Sequence, residues 1–128
     1  MKKLVILCLI GALLLGLCAC SRVTLREDAP VTLRFHYMDV SADVSLPEAE
    51  AAQLRGIVEG KALFFDNPSC GFAEDVSFEI NGRVFCPACD TCRIIKDCSS
   101  GKYLNISQAE RELLDQIFAN YGGFFPCV

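Results

Sequence analysis

The chain has 128 residues, of which 52% are hydrophobic, and its 16 acidic residues outnumber its 12 basic ones to give a net charge of −4. Once an apolar leader is set aside, this length allows one compact domain and not two. The acidic balance, without any run of lysine or arginine, argues against nucleic-acid binding and against electrostatic attachment to anionic lipid.

The first twenty residues have the pattern of an export signal. Two lysines follow Met1, an uncharged apolar run covers residues 4–17, and Cys20 closes the segment. A permanent transmembrane helix needs about 20 apolar residues, so this run is too short to span a bilayer. We therefore expect a signal that is removed after export.

The end of this segment, Leu17-Cys18-Ala19-Cys20, resembles the lipobox of bacterial lipoproteins. The resemblance implies that residues 1–19 form the signal peptide and that Cys20 carries lipid, including palmitate. It also implies a protein held on the extracytoplasmic side of the cell membrane or outer membrane. Stable anchoring takes two acyl chains, because each buried methylene contributes only about 0.8 kcal/mol. Lipidation at Cys18, ordinary secretion after Ala19 and an uncleaved anchor are the alternatives.

The remaining chain divides into two predicted parts, a lipidated tether over residues 20–30 and a single cysteine-rich domain over residues 31–128. Residues 21–30 (SRVTLREDAP) are polar and mixed in charge. A flexible tether of this length has a root-mean-square reach of ~17 Å. The domain is therefore expected close to the bilayer.

The domain begins with a predicted strand, in which every second residue is apolar. The chain's only histidine, His36, falls on the polar side of this strand, beside Arg34. We expect His36 to be an exposed strand residue rather than a metal ligand or a catalytic base. The inward-facing set is Val31, Leu33, Phe35 and Tyr37.

Two helices are predicted from capping boxes followed by apolar stripes. The first capping box is Ser45-Leu46-Pro47-Glu48, with Gly60 as the stop, and the second is Ser107-Gln108-Ala109-Glu110, with Gly122-Gly123 as the stop. The stripes consist of Ala51, Leu54, Ile57 and Val58 in the first helix, and of Leu113, Leu114, Ile117, Phe118 and Tyr121 in the second.

A β-hairpin is predicted between the helices. Asn81-Gly82 allows the positive backbone angles of a type I′ turn, so residues 76–80 should pair with residues 83–86. In this register Phe78 opposes Phe85, and Cys86 lies on the other face. Residues 61–65 and 102–104 are weaker strand candidates. The element order predicts an α+β domain, with two helices packed on a small antiparallel sheet around a cysteine-rich central hairpin and loop.

Six cysteines follow Cys20, and an even number in an exported domain is typical of disulfides. Sequence does not choose among the many possible pairings, and it leaves open both three bridges and one or two bridges with some free thiols. We expect Cys86, Cys89 and Cys92 to fall in different bridges, or in one bridge plus an outside partner. The candidates for disulfide formation or metal binding are Cys70, Cys86, Cys89, Cys92, Cys98 and Cys127.

The segment CPACDTC, residues 86–92, allows two further interpretations. Three thiolates at intervals of three can converge on zinc, with a fourth ligand from Cys70, Cys98 or Cys127, so zinc is the alternative to a domain without cofactor. The segment resembles part of a bacterial ferredoxin run, but its interval to Cys98 is longer and no proline follows. Residues 86–89 also resemble the redox-active motif of thioredoxin-like proteins, which implies disulfide exchange.

The loops and the chain end carry weaker signals. Glu74, Asp75 and Asp90 lack the spacing of a calcium loop, so we expect them to be solvated carboxylates. Residues 124–128 are mostly apolar, which predicts that they fold back on the core with Cys127 bridged to an earlier cysteine. Residues 60–128 resemble small cysteine-rich bacterial lipoproteins of unassigned activity, and this resemblance implies no reaction.

Together these patterns predict a membrane-anchored extracytoplasmic lipoprotein with a non-enzymatic domain and no catalytic residue. Its expected partners are the membrane, through lipid on Cys20, and an envelope protein or small ligand, but not nucleic acid. The alternative is a tethered thiol–disulfide or zinc-binding protein that uses Cys86, Cys89 and Cys92. Fold class does not separate these two classes, because function belongs to sites rather than to architectures.

Overall fold

A computed structural model describes residues 2–3, 5–6 and 21–123 of the chain. The predictions for Cys18, Cys20 and residues 124–128, including Cys127, lie outside the described residues. Within the described part, no helix has both the length and the apolar character needed to cross a bilayer.

The described chain forms an antiparallel sheet with the strand order β2-β1-β3-β4-β5-β6, together with two helices. The predicted α+β class is confirmed. The strands are β1 (Val31–Tyr37), β2 (Val40–Ser45), β3 (Val76–Ile80), β4 (Arg83–Pro87), β5 (Ile94–Asp97) and β6 (Lys102–Asn105). The helices are α1 (Glu48–Val58), between β2 and β3, and α2 (Gln108–Asn120), after β6.

The central hairpin has the predicted register. Phe78 is paired with Phe85, and Ile80 with Arg83. The turn residues Asn81 and Gly82 have φ angles of 50° and 83°, as the type I′ prediction requires. The two phenylalanine rings are fully buried and stack with their centroids 5.4 Å apart. The turn therefore sets which face of β4 enters the core.

One face of the sheet, which we call the inner face, packs with both helices into a continuous hydrophobic core. Burying this face and the two helix stripes is the main source of stability for a domain of this size. Its core side chains on the strands are Val31, Leu33, Phe35, Val76, Phe78, Ile80, Phe85, Ile95 and Leu104. We call the opposite side, which carries Arg34, His36, Val84, Cys86 and Lys96, the outer face.

The two helices begin in different ways. In α2, Ser107 Oγ accepts from Glu110 N and the Glu110 carboxylate accepts from Ser107 N, which confirms the predicted capping box. In α1, the predicted box of Ser45 and Glu48 is wrong. Ser45 ends β2, paired with Thr32, and the N-cap position is Pro47 without a side-chain cap. Strand pairing takes Ser45 away from the first turn of the helix.

The sequence patterns did not predict β2 or β5. β2 is largely exposed along its length, so its sequence lacks a run of core residues. β5 has only four residues, and its adjacent Ile94 and Ile95 point to opposite faces. Residues 61–65 form isolated bridges rather than a strand, whereas the candidate at 102–104 is β6.

Residues 21–30 differ from the predicted tether, because they lie against the domain. Val23 is 1% exposed and Ala29 is fully buried. Val23 N donates to Lys61 O at 3.0 Å, and Leu63 N donates to Ser21 O at 2.8 Å. The buried Arg55 of α1 donates to Ala29 O at 2.7 Å. Two apolar residues within a polar segment are enough for this docking, and period-two or period-3.6 patterns do not reveal it.

Candidate functional site

The segment CPACDTC continues β4 into a loop that returns as β5. This loop lies beside residues 70–72: Ala88 bridges Phe72, and Cys89 N donates to Gly71 O at 2.8 Å. The contact brings Cys70, which is distant in sequence, next to Cys92 of the motif. Cys86 on β4 and Cys98 after β5 lie apart from this loop and contact each other, while Cys127 lies outside the described residues.

Cys70 and Cys92 form a disulfide across 22 residues of sequence, with their Cα atoms 6.6 Å apart. The loop is further ordered by Asp90, whose carboxylate accepts from Cys92 N at 2.8 Å. This bridge gives Cys92 an outside partner, as one of the predicted arrangements requires. By closing a long loop, it restricts the unfolded chain and stabilises the fold.

Arg111 of α2 holds the same loop through hydrogen bonds to its backbone. Its side chain is 5% exposed, and Nη1 donates to Ala88 O at 2.9 Å and to Cys92 O at 3.0 Å. Its Nε donates to Asp115 at 3.0 Å. A buried guanidinium supplies several fixed donors to carbonyls that would otherwise lack partners. Sequence reasoning missed Arg111, and the available signal was a basic residue within the stripe that contains Leu114.

A second pair of sulfurs lies on the outer face. Cys86 Sγ and Cys98 Sγ are 2.8 Å apart, and Cys98 N donates to Val84 O at 3.0 Å, which extends the pairing of β4 with β5. The contact with the Cys86 thiol lowers the pKa of Cys98, against the opposing effect of burial. The same contact, together with burial, raises the pKa of Cys86. Hydrogen bonding to Cys98 thus favours its thiolate form.

Cys89 is separate from both pairs. It is a buried free thiol, and within residues 21–123 it has no cysteine partner. Burial is the main cause of its raised pKa, since an apolar setting disfavours the thiolate. Within the described chain, Cys86 therefore contacts Cys98 rather than Cys89, so the thioredoxin-like spacing of residues 86–89 does not correspond to a close sulfur pair.

The three thiols of the motif do not converge on one point suitable for zinc. In the described ranges, the group of potential ligands that lies close enough together is Cys70, Asp90 and Cys92. The two sulfurs of this group are joined to each other in the disulfide. Zinc binds thiolates, so the two sulfurs could serve as ligands only after reduction, and together with the Asp90 carboxylate they would supply three ligands rather than the four of a tetrahedral site.

His36 is bonded to two polar residues of β2. Ser41 Oγ lies 2.7 Å from His36 Nδ1, and Asp43 Oδ2 lies 3.1 Å from His36 Nε2. The same three residue types form catalytic triads, but there they work in sites that exclude water. The His36 and Asp43 side chains are 39% and 53% exposed. Exposure of His36 agrees with the sequence-based expectation, and the contacts order a surface hairpin.

A surface cleft separates the N-terminal segment from α1. It encloses about 380 Å³ and is lined by Leu25, Arg26, Ala52 and Glu59, among others. This volume is within the range of small-molecule sites, and the lining combines apolar and charged groups.

Comparison with models of protein families, with curated proteins and with solved structures finds no match to this chain.

Proposed function

We propose that this protein is a lipid-anchored extracytoplasmic lipoprotein whose domain binds an envelope partner or small ligand. The observation that carries the proposal is the lipobox-like Leu17–Cys20, which directly precedes Ser21, a residue bonded to the domain. The Cys70–Cys92 disulfide supports an extracytoplasmic location, because disulfides persist mainly in oxidising compartments.

An anchor at Cys20 would be attached directly to a residue that is bonded to the domain. Ser21 O accepts from Leu63 N at 2.8 Å, and Cys20 is the residue that precedes Ser21 in the sequence. Lipid on Cys20 would hold the domain directly against the bilayer, without the tether expected from the sequence. One edge of the domain would then face the lipid headgroups.

The residues near this anchor point suit such contact. Phe65, two residues after Leu63, is 81% exposed, and Lys102 Nζ lies 4.8 Å from the centre of its ring. Arg22 directly follows Ser21 and is also exposed. Aromatic rings favour the membrane–water interface, and long basic side chains reach from it towards phosphate groups. We infer that this edge rests on the bilayer.

The anchor is tested by metabolic labelling with palmitate. Wild-type protein should incorporate label and partition into the detergent phase, and Cys20→Ala should remove both properties. Cys18→Ala is the matched control and should retain the label. Label that persists in Cys20→Ala but is lost in Cys18→Ala would place the lipid on Cys18, and absence of label from the wild type would refute the proposal.

The orientation is tested with tryptophan at two exposed positions. In the acylated protein on vesicles of mixed neutral and anionic lipid, Phe65→Trp should show blue-shifted emission and quenching by brominated lipid. Met38→Trp is the control, because Met38 is 87% exposed in the turn between β1 and β2 and distant in sequence from the anchor. Equal quenching at both positions would contradict the inferred orientation. It would not bear on the lipid anchor, which the palmitate labelling tests separately.

A further inference from the structure

Cys86 and Cys98 form a sulfur pair that the proposed function does not use. Their Sγ atoms are 2.8 Å apart, whereas a disulfide bond has a length of about 2.0 Å. A movement of less than about 1 Å would therefore join them. Because Cys98 follows β5 directly and Cys86 lies on the neighbouring β4, the sheet holds both sulfurs on the outer face.

The two sulfurs differ in access. Cys86 is 1% exposed, whereas Cys98 is partly exposed and lines a surface cavity of about 150 Å³. The cavity is completed by Arg34, Glu74, Val84 and Ser99. An incoming disulfide can reach Cys98 from solvent, but it must displace packed residues to reach Cys86.

We propose that Cys98 and Cys86 form a thiol–disulfide exchange site, in which Cys98 attacks a disulfide of a peptide or protein and Cys86 resolves the mixed disulfide. This pair is distinct from the Cys86–Cys89 pair that the sequence motif indicates. It is also distinct from the Cys70–Cys92 bridge, which pins the loop.

The reaction balances as a two-electron exchange. The Cys98 thiolate bonds to one sulfur of the substrate disulfide, and the other substrate sulfur leaves as a thiolate that takes up a proton. The Cys86 thiol then loses its proton and attacks Cys98 Sγ, which releases the second substrate sulfur as a thiolate to be protonated. The substrate disulfide becomes a dithiol, and Cys86 and Cys98 become a disulfide.

The local contacts give the two thiols these different roles. Cys98 has its pKa lowered by contact with the Cys86 thiol, which increases the fraction of the nucleophilic form. The pKa of Cys86 is raised by the same contact and by burial, so its thiol stays protonated until the mixed disulfide forms. Exposure and thiolate stability therefore favour the same sulfur as the attacking group.

The test uses the full-length protein in detergent, mildly reduced and then treated with glutathione disulfide. Peptide mapping by mass spectrometry should identify a Cys86–Cys98 disulfide in the wild type. Cys86→Ser should accumulate one glutathione on Cys98, because the resolving thiol is missing. Cys98→Ser should react at Cys86 at least about tenfold more slowly than the wild type reacts, since the buried thiol is poorly accessible. Cys89→Ser is the matched control and should behave as the wild type.

Two results would overturn this proposal. One is preferential glutathionylation of Cys89 or Cys86 in the folded protein, which would show that Cys98 is not the attacking thiol. The other is a Cys86–Cys98 disulfide that stays closed in about a hundredfold excess of reduced over oxidised glutathione, because such a bond is a structural bridge. Cys98→Ser changes a partly exposed position, so it remains informative if Cys86→Ser fails to fold. Neither result depends on whether Cys20 carries lipid.

Discussion

The inner and outer faces of the sheet differ in composition and in role. The inner face presents fully buried residues such as Leu33, Phe78 and Phe85 to both helices. The outer face carries the ion pair of Arg34 with Asp43, the contacts of His36 and the Cys86–Cys98 sulfur pair. Burial of the apolar inner face determines the fold. The partly exposed residues of the outer face are accessible to water and are available for chemistry. The effects of substitutions on the two faces should therefore differ in kind as well as in size.

The largest effect is expected on the inner side, at Leu114 of α2. Leu114 is fully buried, so Leu114→Asp places a charge without a partner in the core and should cost about 5 kcal/mol of stability, comparable with the total for a small domain. Glu112→Gln, on the exposed side of the same helix, is the control and should melt as the wild type does. Circular dichroism melts that show a folded Leu114→Asp protein with unchanged stability would contradict the assignment of Leu114 to the hydrophobic core.

The next effect is expected at the disulfide that closes the cysteine loop. Replacing both Cys70 and Cys92 with serine should lower the free energy of unfolding by about 3 kcal/mol, because the bridge spans 22 residues of sequence. Urea unfolding measures the loss. The reduced wild type is the control, since it lacks the bond but retains both sulfurs. A loss below about 1 kcal/mol would mean that Arg111 and the neighbouring backbone bonds hold the loop without the bridge.

A smaller, pH-dependent effect is expected at Asp97, a buried carboxylate on the inner side of β5. Burial raises its pKa, but donors from Arg83 at 2.7 Å and Ser100 at 2.7 Å outweigh burial and lower it overall. The ionised form therefore contributes stability above the unfolded pKa of about 4. This contribution is lost as the pH falls through the lower folded value.

Asp97→Asn should accordingly cost about 2 kcal/mol at neutral pH and make unfolding less dependent on pH below about 4. Thermal melts across the acid range measure both effects. Asp66→Asn changes an exposed loop carboxylate and is the control. Parallel stability curves for the wild type and Asp97→Asn would show that the Arg83–Asp97 pair does not titrate with folding.

The smallest effect is expected at the Ser41–His36–Asp43 contacts on the outer face. These side chains are open to water, so Ser41→Ala should leave both the melting temperature and the hydrolysis of an activated ester unchanged. The wild type and a buffer blank provide the reference rates. A hydrolysis rate above the blank that disappears in Ser41→Ala would show that the outer face has a catalytic relay that its exposure argues against.

Local sequence patterns determined several parts of this protein without tertiary information. Asn81-Gly82 set the turn and the register of β3 with β4, because few residue pairs accept two positive φ angles. Ser107 and Glu110 set the start of α2, because their capping contacts lie within one helical turn. The alternation in β1 likewise identified its buried side, with Leu33 and Phe35 inward.

Only the tertiary structure decided which thiols meet and that residues 21–30 pack on the domain. Cys98 was paired with Cys86 by the registration of β5, a strand too short to predict, and Cys70 reached Cys92 through backbone contacts across the loop. Val23 docked beside Lys61 although the surrounding segment is polar. Each of these contacts joins residues that are far apart in sequence, so its free energy depends on surfaces that exist only after the chain has folded, whereas a turn or a cap is complete within a few residues.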